Sequence, residues 1–442
     1  MTKQAQAGFH KLVSVKVRPL FAGVESASQK NLRDYIDITK VVVNWTFQES
    51  IDSPYISGRL TVNESNNLLE DVPLRGEESL QITWSDFYGD TKTYDFIIYG
   101  VDNIGPENSV NDRMMKYTLD FTTVDKLSSD RKEIKRSFGK QKISDMVNII
   151  FNEYYSDSNK DIEIEETDGE QTLVIPNLRP DAAMQFLSRR AYSGSNKSSL
   201  YRFFETREKY YFCTSEYLTD KYSGFEGISN EERNRLFFNY RVLDDNTGTG
   251  QLKAQQSINN VRYGKKADSF AEMKGGAYRR NVTELDILNR TRISRQYDYT
   301  SEFKDYKAPE DLKLTHSQEF IDSYMPSALA PSTTLITDFP QIGQNKGDLD
   351  KPYQHFYENY TTKPAVDYHM NLNAFTIEIN GRIGLYPGMV INLDLYKFSN
   401  TVAGTRETDT QRSGKYLVMN IDHRFTGDEY KQSVLITKGG LS

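Results

Sequence analysis

The sequence predicts a mainly β chain with an α+β insert, on three observations. Apolar and polar residues alternate with a period of two through the first 125 or so positions, and the same alternation returns near the other end. Apolar residues at helical spacing occur only between the two. Aromatic residues make up 12% of the chain, with 29 Tyr and 23 Phe, and supply buried area that an apolar content of 37% otherwise lacks.

Taken in order, Val41, Val43, Trp45 and Phe47 alternate with polar neighbours, followed by Leu60 and Val62, then Leu80, Ile82 and Trp84. Tyr94, Phe96 and Ile98, then Tyr117, Leu119 and Phe121, complete this unit, which is bounded at about residue 125; Gly23 to Asn31 is polar and expected to be a loop. Between 126 and 215 the period changes. Ile143, Met146, Val147, Ile150, Phe151 and Tyr154 form one stripe of a three-turn helix. A second helix is expected from Pro180, a residue suited to the first helical position, with Ala183, Phe186, Leu187 and Ala191 on one face and Gly194 as its stop. Leu200 to Phe204 and Tyr210 to Cys213 then form a hairpin that turns at Thr206-Arg207-Glu208.

Residues 216 to about 325 form a mixed, mainly β region rich in Arg and Asn. The segment 326–367 holds Pro326, Pro331, Pro340, Pro352 and Pro364 and shows little periodicity. It is expected to be an extended arm or loop, with Phe339, Tyr353 and Phe356 to bury against a neighbouring subunit. From 368 the alternation resumes: Phe375, Ile377 and Ile379; Ile391, Leu393 and Leu395; Leu417, Met419 and Ile421; Val434 and Ile436. Both units have a glycine turn before a strand, at Leu74-Arg75-Gly76 and Leu385-Tyr386-Pro387-Gly388. Both also have a similar tripeptide, Gly100-Val101-Asp102 and Asn420-Ile421-Asp422. Two related β-units in one chain point to a protein that builds a surface or a ring.

The bulk numbers narrow the classes. A length of 442 residues allows about three domains. No apolar run is long enough for a membrane span, and Met1 to Leu20 has no signal-peptide core. The lone Cys213, in an aromatic run, reads as a buried hydrophobe and excludes an internal disulfide. The net charge of −7 argues against a dedicated nucleic-acid binder, though not against a wall past which nucleic acid slides.

A search for chemistry gives no catalytic, cofactor or metal site. His10, His316, His355, His369 and His423 are scattered, without metal-ligand spacing. Gly248-Thr249-Gly250 and Lys274-Gly275-Gly276 lack the Lys-Ser/Thr of a phosphate loop and read as turns. Asp244-Asp245-Asn246 and Asp348-Leu349-Asp350 lack calcium-loop spacing. Asp161 to Glu170, where Ile162 and Ile164 alternate with acids, reads as a solvated strand face. Arg279, Arg280, Arg290, Arg292 and Arg295 read as a solvated β-face or a salt-bridged interface. The residues singled out are architectural turns: Gly76, Gly381 and Gly388, where glycine relieves the backbone, and Pro387, which fixes one dihedral.

Ser413 to Val418, Asp422 to Phe425 and Tyr430 to Lys438 resemble the closing segment of central baseplate hub proteins of contractile-tailed bacteriophages. Gly381-Arg382 through Met389, and Lys274 to Tyr278 with Leu285-Asp286-Ile287, fit the same family. Residues 137–213 are similar to its helix, strand, helix and aromatic hairpin, also found in the hub half of type VI secretion VgrG spikes. The resemblance implies two tube-like β-barrel domains, 1–125 and 368–442, flanking an α+β module at 126–215 and the mixed region 216–325, which may lend strands to the second barrel.

The function implied is a non-enzymatic structural hub in the virion tail baseplate, assembled in the host cytoplasm. A homotrimer would place six similar domains in a pseudo-sixfold ring that adapts a threefold spike to a sixfold tube. Its partners would be the central spike, the tail-tube initiator or tube protein, the tape-measure protein and the surrounding wedge proteins, with DNA passing unbound. The chain stops soon after the second unit, so the puncturing spike is expected on another chain. The rival expectations are the equivalent hub of a bacterial injection device, a cell-wall hydrolase and a receptor-binding tail protein.

Overall fold

The computed structural model describes residues 7–19, 35–65, 74, 76, 78–108, 111–157, 160–223, 239–241, 254–264, 268–286, 290–302, 316–336, 370–371, 374–397, 407–410 and 412–438. The protein is mainly β, with α+β inserts. A 13-stranded sheet dominates it. The first half of the chain contributes β1 (Lys11–Pro19), β2 (Ile36–Asp37), β3 (Val42–Ser50), β4 (Ser57–Glu64), β5 (Glu78–Ser85), β6 (Thr91–Asn108) and β7 (Asn111–Thr122). Burial alternates along β3 and β5, as their sequences require, with Trp45, Phe47, Leu80, Ile82 and Trp84 on the core face.

A module follows: α1 (Val124–Arg131), β8 (Ile134–Lys142), α2 (Ile143–Tyr154), β9 (Ile162–Ile164), β10 (Glu170–Leu178), α3 (Pro180–Ser188), β11 (Tyr201–Glu205), β12 (Tyr210–Thr214) and α4 (Ser215–Ser223). The apolar stripe of α2 packs on Ala183, Met184 and Leu187 of α3 and on Phe203, Tyr210 and Phe212. α3 stops at Ser188, short of the expected Gly194. The Ser188 hydroxyl donates to the Gln185 carbonyl, and the Arg190 amide closes a tight turn onto Leu187. Ala191 is buried nevertheless, from the turn rather than the helix. The acidic stretch after Asp161 is not a solvated face: β9 lies parallel to β12, Glu163 is ion-paired with Lys209 and Lys221, and Glu165 is buried.

The second half supplies β13 (Asn239–Arg241) and β14 (Ile258–Tyr263). Next come α5 (Ser269–Gly275), β15 (Arg279–Asp286), β16 (Thr291–Asp298), α6 (Gln318–Tyr324) and β17 (Ser332–Ile336). Strands β15, β16 and β17 make a separate small sheet over Tyr278, Tyr297, Tyr299 and Ile321. Arg279, from the basic cluster, is ion-paired there with Asp298 and Asp322. Of the proline-rich segment, Ser332–Ile336 lie in this sheet and Ser327–Leu329 form a 3-10 turn before it. Residues 337–369, with His355 and His369, fall outside the described residues, as do Gly23 to Asn31, Asp244 to Gly250 and Asp348 to Asp350. The main sheet resumes with β18 (Phe375–Asn380), β19 (Val390–Asp394), β20 (Gly414–Thr426) and β21 (Glu429–Thr437).

The sheet carries one strand order twice. In the first half it is β3-β4-β7-β6-β5-β1, and in the second β14-β18-β21-β20-β19-β13, with the same succession along the chain. Irregularities repeat too. The register slips between Val42 and Asn44 opposite β4, and between Ile258 and Asn260 opposite β18. It slips again between Ile98 and Gly100, and between Val418 and Asn420. The copies differ at their last pair, which is antiparallel for β1 with β5 and parallel for β13 with β19. β14 is thus the counterpart of β3, detached from its copy by the inserted sheet.

Candidate functional site at the joint of the two halves

The halves meet where β20 pairs antiparallel with β3, from Asn420 opposite Ser50 to Thr426 opposite Asn44. The core faces of the two strands are therefore continuous. Phe425 stacks on Trp45 at 3.7 Å and His423 on Phe47 at 3.9 Å between ring centroids. One position further, β3 points Glu49 inward, where it is fully buried.

Burying a carboxylate costs several kcal/mol unless charge and hydrogen bonds replace its water. Arg207 supplies them from the tip of the β11–β12 hairpin. Its Nε donates to Glu49 Oε2 at 2.9 Å and its backbone amide to Oε1 at 2.8 Å. Nη2 donates to the Ile383 and Leu385 carbonyls, at 2.9 and 2.8 Å, on the loop between β18 and β19. His423 Nε2 lies 2.9 Å from Glu49 Oε2, and Nδ1 lies 2.8 Å from the Tyr430 hydroxyl. With Nε2 donating to the carboxylate, Nδ1 accepts from Tyr430; Gln432 Nε2 donates to that hydroxyl and to the Arg382 carbonyl. Three parts of the chain thus converge on one buried ion pair.

The charges are set by this geometry. Burial pushes the Glu49 carboxyl up, but Arg207 and the His423 hydrogen bond outweigh it and hold it below the usual range. Burial lowers His423 to about 4, against the pull of Glu49, so the imidazole is neutral near pH 7. A second buried carboxylate, Glu205, ties the same hairpin to the first half. It accepts from the Ile56 amide at 3.0 Å, the Thr123 hydroxyl at 2.9 Å and Lys160 Nζ at 2.7 Å. The arrangement ties three units together through buried side chains, Glu49, Arg207, His423 and Glu205. The described residues contain no His, Cys, Asp or Glu group able to hold a metal.

No family model matches the chain, and no curated protein does. Among solved structures it is similar to the tail protein from Neisseria meningitidis MC58, at 10% identity over 96% of each chain, with a TM-score of 0.52. The chain has a tail-protein fold. It is also similar to the prophage MuSo2 43 kDa tail protein from Shewanella oneidensis, at 8% identity over 96% of this chain and 98% of that one, TM-score 0.48. A third similarity is to a chain of the half-lidded Francisella PdpA-VgrG complex, at 10% identity over 97% of this chain and 58% of that one, TM-score 0.46. The mainly β class with α+β inserts is the one the sequence predicted.

Within this tail-protein fold the turn residues sit at matching places. Gly76 and Gly388 precede β5 and β19, with φ of +85° and +89°. A Cβ on Gly76 would lie 2.8 Å from the Tyr99 carbonyl. Gly381 is needed for a different reason: a Cβ there would fall 2.1 Å from atoms of the Tyr430 ring, so the turn that Pro387 and Gly388 complete lies against the joint. Arg207 and Glu49 had no sequence signal. One was a turn residue and the other a polar position in an alternating strand.

On the opposite face of the shared sheet two polar rows cross the joint without a break. One row runs Glu378, Ser433, Asp422, Gln48, Ser57, Thr122. The next runs Lys431, Arg424, Thr46, Arg59, Asp120, with Arg59 Nε donating to Asp120 Oδ1 at 2.7 Å.

Proposed function

We propose that this chain is a structural, non-enzymatic hub of a contractile tail baseplate. It assembles as a homotrimer whose six β-units form a pseudo-sixfold ring, seats the central spike at one end and receives the tube initiator or tube protein at the other. Tape-measure protein and DNA pass through the ring, and wedge proteins surround it. The observation that supports this reading best is the repeated strand order within one unbroken sheet, in a fold shared with a tail protein. A ring needs units that are alike and a linkage that does not bend. The Glu49–Arg207–His423 joint is such a linkage. The polar rows on that face give passing DNA hydroxyl and amide groups and balanced charge, with Glu378, Asp422 and Asp120 beside Lys431, Arg424 and Arg59.

Light scattering on the purified 51.0 kDa chain tests the assembly. The expected mass is three times that of the chain, alone or after co-expression with the spike. A monomer under both conditions overturns the proposal.

A further inference from the structure

The joint between the halves is made once within the chain, yet the strands needed to make it are present twice. The missing second joint identifies a surface. In the joint, β20 has β21 along one edge. Along its other edge it pairs first with β19, through Leu417, and then with β3, from Asn420. Its counterpart β6 has β7 along one edge and, along the other, β5 only as far as Ile97. Beyond that point, from Gly100, no described strand pairs with this edge of the 18-residue strand. The counterpart of β3 is in the complementary state. β3 lies between β4 and β20, whereas β14 pairs with β18 and, among the described residues, with no strand on its other side.

Side chains at the two edges match this pattern. In the repeat, Tyr99 corresponds to Met419, Ile104 falls at the bulge where β20 has His423, and Tyr263 corresponds to Phe47. Within the joint His423 and Phe47 are 0% and 2% exposed, and Met419, just before it, is 2% exposed against the hairpin module. At the open edges Tyr99, Ile104 and Tyr263 are 54%, 57% and 42% exposed, Tyr263 even with the Arg412 guanidinium over its ring. Long open edges are aggregation hazards and are normally covered or blunted.

We infer that β6 of one copy pairs antiparallel with β14 of a second copy, reproducing between molecules the β20–β3 joint found within each. The repeat fixes the register. Arg424 opposite Thr46 becomes Gly105 opposite Arg262 of the second copy. In this register Arg262 and Tyr263 face the end of the open stretch at Gly105, and Val261 faces Pro106, which has no amide to donate. The contact is heterologous, one edge against a different edge, and therefore propagates until a ring closes. This inference rests on the ring-forming hub proposed above and gives its subunit contact.

Cysteine pairing tests it. Cα atoms opposite one another in an antiparallel pair lie about 4.5–5.5 Å apart, within disulfide reach. The native Cys213 is fully buried and remains silent. Gly105→Cys mixed with Arg262→Cys is expected to give disulfide-linked dimers on mild oxidation, and neither variant alone to link to itself. Self-linking by either variant, or a full-mass oligomer by light scattering with no linkage in the mixture, overturns the inference while leaving the hub reading intact. A monomer in every sample, with and without the spike, overturns both. Hydrogen exchange on the unsubstituted protein avoids any folding defect of the variants. Amides in Gly100–Gly105 and Asn260–Tyr263 are expected to slow at least about tenfold on assembly, and fast exchange at both in the oligomer overturns the inference.

Discussion

Arg207 and Glu49, 158 residues apart, form an ion pair at 2.9 Å from which solvent is wholly excluded. Removing one partner leaves the other charged and buried. Arg207→Met is therefore expected to lower unfolding stability by about 3–5 kcal/mol. Arg59 and Asp120 make a bond of similar length on the exposed face, and Arg59→Ala is expected to cost under about 1 kcal/mol. Urea midpoints of the two variants check this. Equal losses would mean that burial does not set the strength of the Arg207 pair.

His423 and Glu216 give opposing pH dependences. The folded pKa of His423, about 4, lies below its unfolded value of 6.5. Its contribution is full above pH 6.5 and is lost as pH falls towards 4, by about 3 kcal/mol. Glu216 is fully buried, and that burial raises it from 4.5 to about 7, with Glu165 adding to the rise. Its contribution is full below pH 4.5 and is lost as pH rises towards 7, by a similar amount. Stability of the unsubstituted protein is thus expected to change little between pH 4.5 and 6.5. His423→Gln should become less stable as pH rises through this window, and Glu216→Gln less stable as it falls. Urea midpoints across the window decide, and parallel slopes for the two variants would refute the assignment.

Gly381→Ala must push the Tyr430 ring away and disturb its bonds to His423 and Gln432. A loss of about 1–3 kcal/mol is expected, as for overpacking elsewhere. Gly76→Ala meets both a left-handed backbone and the Tyr99 carbonyl, and should lose about 1–3 kcal/mol. Gly89 also has a positive φ, +85°, but a Cβ there meets nothing within 4 Å, so Gly89→Ala isolates the backbone part of the cost. Thermal melts of the three variants give the comparison.

Much of the fold was legible in the sequence because strands with one buried face must alternate. Trp45 and Phe47, Leu80 to Trp84 and Phe375 to Ile379 all do so, and the α2 stripe is equally regular. Leu417 to Ile421 does not, because the register slip between Val418 and Asn420 puts Val418 and Ile421 in one core and Leu417 and Met419 in another. β14 was not legible. Asn259, Asn260 and Arg262 leave it little alternation, one of its edges has no strand partner among the described residues, and the inserted sheet separates it from β18. The joint was illegible for another reason. Period and spacing report on local structure, whereas Arg207 takes its partners from positions 158 to 178 residues away. A hairpin-tip arginine carries the same local signal whether it points to solvent or into a core.

The same connectivity sets an order of events during synthesis. Glu49 leaves the ribosome 374 residues before His423, the side chain that completes its hydrogen bonding. The first-half sheet and the hairpin bearing Arg207 can form while the remainder is still being translated. During that interval the β3 edge that β20 will occupy stands open, at the moment when nascent copies on one message are crowded together. Since β14 corresponds to β3, an early neighbour could seat the wrong strand there. Production of this chain should therefore depend more on how fast its last 70 or so residues are delivered than on its final stability.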